Sequence, residues 1–409
     1  MTSEPKSRSP RKPARPSTFW PLDPNVTFLN HGSFGSCPRP VLDFQRAIRD
    51  RLERQPIQFL VRELEPQLDA ARAELARFVG ADPDNLVFVS NATTGVNAVL
   101  RSLPLAAGDE ILVTDHEYNA CRNAVNFVAE RAQARVVVAA IPFPLPDSPD
   151  ILERLLERVS RRTRLVVIDH VTSQTGLILP IEAIVRALAS RGIDTLVDGA
   201  HAPGMVPLNL ETLGAAYYTG NCHKWICAPK GAGFLHVRRD RQAELRPVVI
   251  SHGANSPRTD RSRFQIEFAW TGTHDPSAFL SVPEAIRVMG AQLPGGWPEL
   301  MNRNRVLALA ARRVLCDALR IQPPCPAEMI GALASLPMPD APEAGPSTSP
   351  LYLDPLQDRL LERHGIEVPF IPWPAWPRRL LRISAQLYNS LPQYERLAKV
   401  LAAELAGAS

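Results

Sequence analysis

Seven short apolar runs, separated by helical stretches, constrain the fold of this chain more than any other feature. They read "LVFVS" (86–90), "EILVT" (110–114), "RVVVAA" (135–140), "RLVVID" (164–169), "DTLVD" (194–198), "AAYYTG" (215–220) and "GFLHV" (233–237). Several hold consecutive apolar residues with no polar alternation, which suits strands covered on both faces. Helical periodicity fills most of the intervals, as in Asn119–Arg135, Ile151–Arg161 and Ile181–Arg191. Strand and helix in alternation predict an α/β fold, with a mostly parallel seven-stranded sheet flanked by helices. Two further helices are expected ahead of the sheet, Val41–Arg54 and about Leu60–Phe78, the second stopping at Gly80.

At 409 residues the chain is longer than one core usually grows, so a second domain is expected. The pattern changes near Trp297. A helix (298–320) is followed by apolar "MIGALASLPMP" and a loop, "DAPEAGPSTSP". A helix near Leu356–His364, "VPFIPWPAWPRR", strand-like "LLRISAQLY" and a terminal helix complete the chain. The expected division is a disordered tail (1–18), a large domain with the N-terminal segment (19–296) and a small C-terminal α/β domain (297–409). The tail is rich in Pro, Ser and Arg and too poor in apolar residues to offset its ordering entropy. A nucleic-acid arm is the sharper alternative, but no basic stripe with interleaved aromatics accompanies it. No apolar segment follows the tail's charges as a secretory signal requires, and no run is long enough for a bilayer. Six scattered cysteines without a CxxC pair point to a reducing, cytoplasmic setting.

Four stretches carry chemistry. In "TGNCHKWICAPKG" (219–231), Lys224 follows a strand end within a loop of small residues. Desolvation there lowers an amine's pKa and readies it for a Schiff base, whereas a surface lysine is the plain alternative. The same stretch offers Cys and His to a metal, but lacks a complete zinc ligand set at familiar spacing, so no metal is expected. In "DTLVDGAHAPG", Asp198 ends a strand where α/β folds bind ligands, and it is equally a helix cap. In "LVFVSNATTGVNAVL", a strand enters a helix through Ser, Asn and Thr, which suits a phosphate or simple capping. It is not a GxxxxGK[ST] loop. In "LLRISAQLYN", Arg382 within an apolar strand suits a carboxylate or a structural ion pair.

Taken in order, "FLNHGSFGS", "NATTGVNAVL", "TDHEYNA", "DGAHAPG", "GNCHKW" and "RISAQLYN" resemble the class V aminotransferase family of fold-type I pyridoxal-phosphate enzymes. Within it the chain is similar to the isopenicillin N epimerase-like group, over roughly residues 25–400. The resemblance implies pyridoxal 5′-phosphate as cofactor, an amino-acid-type substrate and a homodimer with shared sites. It implies that Lys224 forms the Schiff base and later moves the α-proton. Asp198 would pair with the pyridine nitrogen, and His201 would lie near the phenolic oxygen with Ser173 as a lesser candidate. Thr93, Thr94 and His223 would hold the phosphate, with Asn221 a weaker candidate and Thr273 reaching the neighbouring subunit's phosphate. Tyr118 would stack on the ring, with His116 close enough to compete. Arg382 would bind the substrate carboxylate, and Asn30, His31 and Gly32 would line the entrance.

Desulfurases of this family carry a mobile cysteine shortly before the late arginine, and "IEVPFIPWPAWPRRLLRIS" has none. The expectation is therefore epimerisation at an α-carbon, with a C–S lyase of the ergothioneine-pathway kind or an aminotransferase as alternatives. A non-catalytic binding module of the same fold would have no need of Lys224.

Overall fold

The computed structural model describes residues 19–146, 150–341 and 354–406. The tail and most of the "DAPEAGPSTSP" loop lie outside the described residues. Twelve strands are found among them: β1 (Thr27–Phe28), β2 (Leu86–Val89), β3 (Glu110–Thr114), β4 (Arg135–Ala139), β5 (Thr163–Asp169) and β6 (Asp194–Gly199) come first. β7 (Tyr217–Asn221), β8 (Gly233–Val237), β9 (Leu333–Met338), β10 (Ile366–Glu367), β11 (Phe370–Pro372) and β12 (Arg379–Ser384) follow. The seven apolar runs form one sheet in the order β2-β8-β7-β6-β5-β3-β4. Only β8 runs against its neighbours; the other pairings are parallel. β5, β6 and β8 are buried at almost every position because helices cover both faces.

The strand order reverses where β5 lies beside β3, with β4 on the far side. A parallel sheet opens a crevice at such a point, beyond the carboxyl ends of its strands. Asp169 and Asp198 close β5 and β6 there in direct register, and Asn221 closes β7.

The helices differ from expectation mainly at their ends. The second begins with a π-helical turn (Gln58–Glu63) before the α-helix Leu64–Val79, which Gly80 stops with φ 63°. Asn119–Ala132 ends earlier than expected, at Gln133 in the left-handed region (φ 53°). Ile151–Leu156 is only half the predicted length.

β11, β12 and β9 form an antiparallel sheet, and the helices Gly296–Leu319 and Leu391–Ala406 pack on each other beside it. The N-terminal segment joins this part of the molecule, since β1 pairs in parallel with β10 and Leu29 accepts from the Ser384 amide at 3.0 Å. One apolar cluster runs from Leu29 and Leu75 through Ile168 and Trp225 to Leu333 and Ile383. Among the described residues no helix is long and apolar enough to cross a membrane.

Candidate active site

A cavity of about 240 Å³ occupies the crevice. Lys224, His201, Asp198 and Asp169 line one part of it, and Thr93, Asn221 and His223 another. Tyr118, Ser173, Ser33 and Phe34 are also in its wall.

Lys224 sits in the loop after β7. Its Nζ lies 2.8 Å from His201 Nε2. The loop is clamped from below by His31, which donates through Nε2 to the Lys224 carbonyl at 3.0 Å and accepts at Nδ1 from the Tyr388 hydroxyl at 2.8 Å. Gly35 permits this approach: its φ is +69°, and a Cβ there would collide with the His223 carbonyl oxygen. Gly35 thus lays the N-terminal segment against the lysine loop, while Gly32 lets it pack on Leu333 and Ser384.

Asp198 is 2% exposed and accepts from the Ala200 amide at 2.9 Å and the Cys121 thiol at 3.2 Å. The helix Ala92–Ser102 starts at the cavity. Asn91 caps it by accepting from the Thr94 amide at 2.9 Å, a bond worth about 1 kcal/mol. Asn221 ties the same turn to β7 by accepting from the Ala92 amide at 2.8 Å. Arg382, on β12, does not line the cavity but reaches its wall. It donates to Ser33 Oγ at 2.8 Å and to Ser173 Oγ at 3.3 Å. Its Nε is buried without a hydrogen-bond partner.

A family model for Aminotransferase class-V matches residues 55–294. The isopenicillin N epimerase of Amycolatopsis lactamdurans is 38% identical, over 93% of this chain and 95% of that protein. The chain belongs to the class V aminotransferase family. A probable chloroplastic L-cysteine desulfhydrase of Arabidopsis thaliana is 31% identical, over 93% of this chain and 83% of its own. In fold, the chain is similar to the cystine C-S lyase C-DES solved with cysteine persulfide. That likeness has a TM-score of 0.75 at 24% identity and covers 92% of this chain and 97% of that one.

The cofactor of this class V aminotransferase family member is pyridoxal 5′-phosphate, and the cavity's chemistry fits it. One wall offers an amine and a buried carboxylate, as a pyridine aldehyde requires, and another offers a helix start, a threonine and a histidine to a phosphate. Asp169 Oδ2 is buried with no partner.

The electrostatics follow from burial. Burial, reinforced by the Arg382 charge, pushes the Lys224 amine down to about 7. Burial also holds His201 well below its ordinary value, so its ring is neutral. The carboxyls shift the other way: burial raises Asp198, and raises Glu117 and Asp169 well above their usual range. Burial lowers His223 to about 4.

Several expected site residues lie elsewhere. His116 is fully buried away from the cavity, donating to the Ile141 carbonyl, accepting from the Thr175 hydroxyl and packing on Trp373 at 4.4 Å between ring centroids. Tyr118, 40% exposed, is the aromatic residue of that loop in the cavity wall. The Thr94 hydroxyl is turned to Ser90 Oγ at 2.8 Å, toward a neighbouring groove. Thr273 does not line the cavity of its own chain.

Asn30, His31 and Gly32 were expected at the entrance, but all three are buried. Asn30 donates to Glu367, His31 supports the lysine loop, and the Gly32 amide donates to Ser384 Oγ. The next residues, Ser33 and Phe34, line the cavity instead.

Asp169 was missed, although it ends "RLVVID" just as Asp198 ends "DTLVD" and the same strand-end argument would have found it. Glu117 was passed over between His116 and Tyr118. Both its carboxyl oxygens are buried without a partner, and one lies within 4.8 Å of ligand atoms of Cys121 and Asp198. Burial keeps the Cys121 proton on sulfur, where it is donated to Asp198, so this trio is not arranged as a thiolate metal site.

Proposed function

We propose that the chain acts at the α-carbon of an amino acid or amino-acyl substrate and inverts it, as its epimerase relative's name describes. The carrying observation is that a buried lysine whose amine is lowered to about 7 lines the cavity, and that an arginine with a partnerless Nε reaches the same cavity's wall through Ser33 and Ser173. Bound pyridoxal phosphate supplies an electron sink that weakens the α-C–H bond of an amine condensed with it.

The chain's residues do the rest. The Arg382 guanidinium, buried without a carboxylate among the described residues, takes the substrate carboxylate and fixes the α-carbon's orientation. Lys224 Nζ, held near neutrality, removes the α-proton. Asp198 would pair with the ring nitrogen, and His201 would donate to the phenolic oxygen. Thr93 and His223 would hold the phosphate, with Asn221 bracing the helix start behind them. Tyr118 would cover the ring, and Phe34 would close the mouth of the cavity over it.

We infer a homodimer as well, in which Thr273 reaches the second copy's phosphate. Exposed Ile57, Val61, Val249 and Ile250 support an apolar contact face. We retain the division at 296/297, by which the small domain delivers Arg382 to a cavity built by the large one. A reducing cytoplasmic setting is supported by six free, buried cysteines.

A C–S lyase of the desulfhydrase or ergothioneine-pathway type is the second reading, supported by the identity to the Arabidopsis protein. Desulfurase chemistry has less support, because no cysteine lies between residues 326 and 409 and all six are buried. Incubating the holoenzyme with D- and L-amino acids and cysteine sulfoxides in D2O decides between them. Deuterium at the α-carbon with inversion supports epimerisation; release of pyruvate and ammonia without inversion overturns it in favour of the lyase.

A further inference from the structure

We propose that Trp225 is a positioning residue: its indole N–H fixes which nitrogen of His201 carries the proton, and through that ring keeps the Lys224 amine uncharged. An indole nitrogen can donate a hydrogen bond but not accept one. Trp225 Nε1 is 3.4 Å from His201 Nδ1, and both side chains are buried. Nδ1 is therefore the acceptor, and the proton of the neutral imidazole sits on Nε2. That nitrogen faces Lys224 Nζ at 2.8 Å. An N–H aimed at an amine needs a lone pair to receive it, and an ammonium has none. The pair is satisfied with the free amine and frustrated with the charged one.

The relay adds to what burial and the other groups facing Lys224 do. Burial and Arg382 on β12 disfavour the ammonium, whereas Asp198 and Asp169 at the strand ends and Cys121 on the helix Asn119–Ala132 favour it. His201 in turn faces the cationic side of Lys224 and Arg382 and the rings of His223 and His31, all of which keep it neutral. Trp225 is well anchored for the role. It is fully buried, and its ring packs against His31 at 4.9 Å between centroids, the residue that holds the Lys224 carbonyl. With Lys224 engaged by the cofactor, the same Nε2–H is the proton His201 would offer the phenolic oxygen. Trp225 thus acts before and after loading, whatever the fate of the substrate, and the inference rests only on Lys224 being the cofactor's lysine.

The test uses cofactor-free protein. Trp225→Phe keeps a large aromatic ring and removes the N–H. Competitive labelling with acetic anhydride across pH, read at the Lys224 peptide by mass spectrometry, gives the amine's midpoint. We expect Trp225→Phe to raise it by about one unit, which lowers labelling at pH 7 about fivefold. In a His201→Gln background the same substitution should add nothing. An unchanged midpoint, or a shift that persists undiminished without His201, overturns the proposal. If Trp225→Phe fails to fold, ¹⁵N NMR of the wild-type His201 ring decides: a proton on Nε2 supports the relay and a proton on Nδ1 overturns it. Borohydride fixation of the cofactor to Lys224 is scored separately, so failure of the cofactor assignment is distinguishable from failure of the relay.

Discussion

Two hollows meet at the Ser90–Thr94 turn, and they are alike in size but not in chemistry. The cavity at Lys224 measures about 240 Å³, and the neighbouring groove between Phe88, Phe279, Val248 and Val249 about 270 Å³. The first gathers amine, imidazole and carboxyl groups whose proton affinities are all displaced by burial. The second is lined largely by apolar side chains, with Phe88 and Phe279 stacked at 5.1 Å. Groups held against their preference mark the first as the candidate site, and exposed apolar surface suits the second to the dimer contact proposed above. Volume does not separate the two hollows; titratable groups held out of water do.

The comparison is most severely tested at its centre. Lys224→Ala should abolish the borohydride-fixable adduct and lower turnover by about three orders of magnitude or more. A retained visible band in that variant would remove Lys224 from the role given it. Arg382→Ala comes next. A substrate carboxylate deprived of a charge-assisted partner costs about 1.5–3 kcal/mol, so KM should rise about 10- to 100-fold in steady-state kinetics. Arg382→Lys should recover only part of that, because an ammonium cannot pair bidentately.

The groove is challenged by Val249→Asp. A charge on the apolar face should shift sedimentation toward the monomer without moving the acylation midpoint of Lys224. If that midpoint moves with assembly, the two hollows are not independent.

The last effect is thermodynamic and comes from Lys224 in cofactor-free protein. Its folded pKa is lowered from 10.5 to about 7, so between those values the unfolded chain binds the extra proton and stability rises with pH. Each unit of depression corresponds to about 1.4 kcal/mol. Lys224→Met should flatten denaturation midpoints across that window and stabilise the protein near pH 7. A wild-type profile already flat from pH 7 to 10 would show the amine to be less desolvated than its place in the cavity implies.

The sheet was legible because its strands carry consecutive apolar residues and most are separated by helices. The cavity-lining Asp198 and Lys224 were legible for the same reason, because they stand at breaks in a regular pattern. What the pattern conceals is side-chain direction. His116 and Tyr118 are two residues apart on one loop, yet one is packed under Trp373 and the other faces the cavity. Likewise "LNHGSF" announces a special segment, but periodicity does not say that His31 points down to the lysine loop while Ser33 points into the cavity. The parallel pairing of β1 with β10 joins residues more than 330 positions apart, and no local signal in a two-residue strand could reveal it.

Arg382 has a consequence for how the protein matures. Its guanidinium is held at once by Ser33, 349 positions away, and by Ser173, 209 positions away. Closing such long loops comes late and slowly, after local elements have formed. A nascent or misassembled chain could thus complete the strand ends around Lys224 while the Arg382 contacts are still missing. With the role proposed for Arg382, carboxylate binding would be the final property acquired, and its presence would certify that the chain's distant segments have met.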